Sequence, residues 1–123
     1  MTTDGQPEDE WDAMNKLSLD AVAREQRKKA AAADSGRSAE TVFGGHERSL
    51  RQTVIALNAG VELAEHENPG EATVLVLSGR VELRSHGGLM WSGRKGDLLA
   101  VPNDRHSLHA LESSVILLTV VKL

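Results

Sequence analysis

The sequence predicts an all-β domain, an antiparallel sandwich or barrel, preceded by one N-terminal α-helix and an acidic leader. Three observations carry this reading. From about residue 41 to 122 the apolar residues come in short runs rich in Val and Leu, with Gly-containing turns between them. One stretch, residues 17–33, reads as a helix, because its run AVAREQRKKAAAA is built from strong helix formers. Strands and helices nowhere alternate, which excludes a Rossmann-type fold. A chain of 123 residues suits a single domain.

The elements follow in order. Residues 1–16 read as a disordered leader, rich in acid, poor in branched apolar residues and interrupted by Gly5 and Pro7. Residues 17–33 read as the helix, with Ser18 as N-cap and Asp20 in the first turn. Leu19, Val22, Ala23, Gln26 and Ala30 share one face, a thin stripe that packs on something larger. Arg24, Arg27, Lys28 and Lys29 make a basic face, read as solvated, with nucleic acid or the acidic leader as the alternative partner. DSGRS at 34–38 breaks the helix. The barrel domain is expected over 41–122, from nine candidate segments of which some must merge or be trimmed: TVFGG, LRQTVIALN, VELAE, ATVLVLS, RVELRS, LMWS, DLLAVP, SLHAL and SVILLTVVKL. Arg80 to Arg84 alternates strictly, so one face meets a core and the other water. His86-Gly87-Gly88 and Ser92-Gly93-Arg94-Lys95-Gly96 read as hairpin turns.

Composition narrows the function classes. The chain has no Cys, which excludes a disulfide scaffold, a thiolate nucleophile and Cys-type metal sites. The aromatic residues are Trp11, Phe43 and Trp91, so aliphatic side chains must fill the core. The formal charge of −4 is unevenly spread. Residues 1–12 hold five acids and no base, whereas the other 111 hold 13 acids and 14 bases. A near-neutral domain has no electrostatic footprint for nucleic acid. No apolar run reaches the roughly 18–20 residues of a membrane span, and the acidic N-terminus is unlike a secretory signal. A cytoplasmic location is the expectation.

Two of the five histidines have informative surroundings. His66 follows Gly60 by six residues and precedes the turn Asn68-Pro69-Gly70, a strand, and Gly79. His106 follows Gly96-Asp-Leu-Leu-Ala-Val-Pro102. Over about residues 49–122 this pattern resembles the cupin superfamily, the RmlC-like jelly rolls. Gly60, His66 and Gly79 fall on the family's first motif. Gly96, Pro102 and His106 fall on its second, with one residue fewer before the His. The resemblance implies a cupin double-stranded β-helix, a jelly-roll barrel open at one end, with both His projecting inward near the mouth. It also implies a homodimer and one divalent metal ion of unknown identity.

The chain departs from the family at two ligand positions. Asn68 stands where a second His is expected, and Ala72 where a Glu is expected. Glu71 is adjacent, and a one-residue shift in a strand turns a side chain to the other face. It reaches the site only if the chain bulges after Gly70. The expected metal ligands are therefore His66 and His106, with Glu71 as a third candidate. Gln52, in phase with Leu50, Val54 and Ala56, is a candidate pocket hydrogen-bonder, as is Asn68. Arg51 and Arg105 flank the pocket, where either holds a carboxylate ligand or pairs with an exposed acid. His109 points away from His106 in a strand, His86 lies in a solvated turn, and His46 approaches the mouth or a dimer seam. Ser107 is a neighbour of His106 in sequence, which does not make a nucleophile–base pair. The nearly unbroken apolar run Val115–Val121 needs cover on both faces, from another chain or from sheet partners within this one.

Three function classes remain. The first is a barrel that binds or senses a small molecule over a degenerate metal site. The second is a metal-dependent enzyme of dioxygenase or isomerase type using His66 and His106. In the third the two His are structural. The fold alone does not choose among them.

Overall fold

The computed structural model describes residues 16–45, 47–66, 70–102 and 105–122, without the side chains of Glu65 and His66. The expected leader thus lies outside the described residues except for Lys16. Helix α1 runs Leu19–Ala32. Ser18 caps it as expected: its backbone is extended, and its hydroxyl accepts the Ala21 N–H at 3.1 Å. That satisfies one of the unpaired donors of the first turn. Asp20 and Lys29 lie at the ends that suit their charges.

The nine candidate segments are nine strands: β1 Arg37–Phe43, β2 Leu50–Leu57, β3 Glu62–His66, β4 Gly70–Ser78, β5 Arg80–Ser85, β6 Gly88–Arg94, β7 Leu98–Ala100, β8 His106–Ala110 and β9 Ser114–Lys122. They form a five-stranded sheet, β1-β2-β9-β4-β7, and a four-stranded sheet, β3-β8-β5-β6. All pairings are antiparallel. The strand region starts at Arg37 rather than 41. The helix break narrows to 33–36, because Arg37 to Thr41 find partners along β2.

The second expected hairpin is not one. Ser92 to Arg94 belong to β6, and the turn narrows to Lys95-Gly96. It carries the chain from one sheet to the other. Asp97 steadies it by accepting the Arg94 N–H on its carboxylate at 2.9 Å. The buried Gly93 serves packing instead: a Cβ there would stand 3.1 Å from both Leu99 and Val76, so its absence lets the sheets approach.

The five-stranded sheet is apolar on both faces. Ile55, Leu57, Val74, Val76 and Ile116 point to the second sheet and meet Val81, Leu83, Leu108 and Ala110. Val54, Ala56, Val115 and Leu117 point the other way and are covered by Leu19, Val22, Ala23 and Ala30 of α1. The Val115–Val121 run is therefore covered within the chain, since β9 lies between β2 and β4 and both layers pack on it. The run gives no reason for a second copy. As expected, both cores are aliphatic, and Trp91 is largely exposed.

The connections sort the two ends of the sandwich. The chain passes from β2 to β3, β4 to β5, β6 to β7 and β8 to β9 at one end. It passes from β1 to β2, β3 to β4, β5 to β6 and β7 to β8 at the other, here termed the mouth. Gly79, between β4 and β5, marks the closed end. Its φ is +85°, and a Cβ would lie 2.3 Å from the hydroxyl of the fully buried Ser114. That hydroxyl accepts the Arg80 N–H at 3.1 Å and so ties the crossing to β9.

Candidate functional site

Strand alternation decides what the mouth contains. On β8 the buried residues are His106, Leu108 and Ala110, so His106 shares the core-facing side of its strand. It is 6% exposed. Its neighbour across β5 is Ser85, in phase with the buried Val81 and Leu83. Its neighbour across β3 is His66: the two histidines are direct register partners, set opposite after a shift in pairing beyond Leu63. The backbone thus brings together the two positions singled out from sequence.

The facing sheet supplies the opposite wall. Along β2 the residues in phase with Ile55 and Leu57 are Thr53 and Arg51, and the β2–β9 register is unbroken from Leu50 to Leu57. Arg51 pairs with Val120, and Val120 with Ala72. The innermost row at the mouth is therefore Arg51, Val120 and Ala72 on one sheet, and His106 and Ser85 on the other. Beneath it lie Leu118, Val74, Leu99, Leu83 and Leu108, all within the core.

Two expected pocket residues, Glu71 and Gln52, do not face the mouth. Glu71 is exposed and in phase with Thr73 and Leu75, on the helix-side face. The pairing of β4 with β9 runs regularly from Gly70 to Val76, so no bulge turns Glu71 inward. Ala72 holds the inward position instead. Gln52 is in phase with Val54 and Ala56, as the alternation predicted, but that face looks toward α1 and not into the mouth. There its amide donates to Thr119 Oγ1 at 3.2 Å. It lines a cavity of about 230 Å³ with Leu17, Leu19, Val42, Phe43 and Leu117. Asn68 lies outside the described residues, and so does His46.

Other polar residues sort by face. His109 is on the outer side of β8, as expected. Its Nδ1 lies 3.3 Å from Glu62, and its Nε2 2.9 Å from Ser107 Oγ. Ser107 thus partners His109 across two residues of one strand, not His106. Arg105 is exposed at the rim, and His86 occupies the exposed β5–β6 turn. Arg51 is the residue whose placement sequence could not decide: a half-buried guanidinium on the inner row, with no ion pair or side-chain hydrogen bond to another described residue.

A divalent metal with His and carboxylate ligands needs three or four N or O donors around one point. His106 is one, and His66 is its register partner. Ala72 offers no donor, and Glu71 faces away. Among the described residues no group of three His, Asp or Glu can hold a metal. The described donor set does not fit the ion that the family resemblance implies.

No protein-family model and no curated protein matches the chain. Solved structures do. A cupin superfamily protein from Desulfitobacterium hafniense matches with a TM-score of 0.63 at 16% identity, over 71% of this chain and 78% of that one. The chain has the cupin fold. A conserved protein of unknown function from Streptococcus pyogenes matches with a TM-score of 0.65 at 29% identity, over 74% of this chain and 78% of that one. A salicylate 1,2-dioxygenase from Pseudoaminobacter salicylatoxidans matches with a TM-score of 0.68 at 21% identity. The match covers 84% of this chain, which spans only 34% of the dioxygenase chain. Among the described residues no helix is long and apolar enough to cross a membrane.

Proposed function

We propose that this small cupin-domain protein binds or senses a small molecule in its mouth, and that it does so without a resident metal. One observation carries the reading: Ala72 occupies the inward position beside Val120 while Glu71 faces the opposite side of the sheet. The mouth keeps His106 and Ser85 as hydrogen-bonding groups over an aliphatic floor, the composition of a pocket that orients a small ligand by a few polar contacts.

Elemental analysis of untagged protein tests this. We expect well under one iron, manganese, nickel, copper or zinc per chain, and no tight uptake on titration. One tightly held ion per chain would overturn the reading. It would favour the second one, a metal-dependent dioxygenase or isomerase, for which the direct pairing of His66 with His106 is the supporting observation.

A further inference from the structure

Among the described residues, the positive charge of Arg51 at the mouth has no counter-charge. Arg51 stands on the inner row, half-buried, at the same end and on the same face as His106. Its guanidinium makes no ion pair or side-chain hydrogen bond to another described residue. The inner-row neighbours offer no counter-charge. Along β2, β9, β4, β8 and β5 the described residues facing the mouth are Thr, Val, Leu, Ala, Ser and His, and none is acidic. Glu71 is turned outward, and Glu62 is spent on His109 on the outer face.

Removing a cation from water without a partner is costly. A planar guanidinium presents its donors in a fork that matches a carboxylate. We infer that the mouth selects small anions, specifically a carboxylate held by Arg51 with His106 beside it and a short aliphatic group over the Leu118 and Val74 floor. The inference rests on the ligand-binding reading above and names the ligand class.

The test uses the full chain and three near-isosteric probes: butyrate, butyramide and butylammonium. NMR titration follows the imidazole signals of His106, assigned by comparison with His106→Gln. Butyrate is expected to shift these signals saturably, with butyramide at least about tenfold weaker and butylammonium without effect. Arg51→Gln should weaken butyrate by about tenfold or more and leave butyramide nearly unchanged. If butyramide binds as well as butyrate, or Arg51→Gln leaves butyrate binding intact, the anion preference is wrong while the pocket stands. If none of the three probes shifts His106, the ligand-binding reading falls with it. A circular-dichroism melt of Arg51→Gln matching wild type confirms that the variant is folded.

Discussion

At the scale of single residues, phase in a strand matters more than identity. Arg51 and Gln52 are neighbours, yet one faces the mouth and the other faces α1. His106 lies on the core-facing side of β8, and the signal that singled it out in the sequence is the Gly and Pro at family spacing before it. Gln52 faces α1 instead: β2 is apolar on both faces, so alternation gave a phase without saying which phase looks into the mouth. Gly79 is the opposite case, a residue whose type alone declares its role. Replacing it by Ala would force a side chain into the left-handed region and against the buried Ser114 and the Ser113 carbonyl. We expect Gly79→Ala to destabilise the fold by about 3 kcal/mol or more, from backbone strain plus the clash. Urea unfolding followed by circular dichroism measures it; a loss below about 1 kcal/mol would show that this crossing relaxes.

At the scale of elements, each strand coincides with an apolar run that ends in a turn signal, although some of the nine runs were expected to merge, and a central strand such as β9 needs no periodicity to be recognised. The cover on the outer face was less legible. The stripe of α1 is thin in apolar residues, and one of its members is Gln26. The structure shows how that residue is tolerated: it is 1% exposed. Its amide donates to Glu40 at 3.0 Å and its carbonyl oxygen accepts from Ser38, both on β1. The helix is thus held by a polar clamp at the sheet edge and by Val22, Ala23 and Ala30 further in. Gln26→Leu would keep the volume but strand the Ser38 hydroxyl and remove the link to Glu40. We expect a loss of about 1–2 kcal/mol, read as a lower urea midpoint at unchanged slope. Equal or greater stability would mean that burial alone docks the helix.

At the scale of the whole molecule, the candidate site is assembled where two sheets and four connections share one end. No single segment contains it. The sequence supplied two spaced Gly–His blocks, and folding places His66 and His106 opposite each other. It could not supply the third donor, because a one-residue difference between Glu71 and Ala72 is also a difference between two faces of a sheet. This leads to a gain-of-function prediction. Ala72 lies on the inner row, paired with Val120 next to Arg51. Ala72→Glu would place a carboxylate at the mouth on the same face as the core residue Val74. With His106 and the His66 position, that makes a set of His and carboxylate donors of the kind that binds first-row divalent ions. Calorimetric titration with nickel or zinc should then show one site per chain, at least about tenfold tighter than any wild-type binding. The double variant Ala72→Glu, His106→Gln should lose that gain. The new carboxylate would also neutralise Arg51, so Ala72→Glu should weaken butyrate binding as it creates metal binding. The reverse substitution at the neighbouring position gives the internal control: Glu71→Ala in the wild-type background should change neither. Unaltered metal affinity in Ala72→Glu, with the fold intact, would show that the inner row at the mouth does not converge on one point.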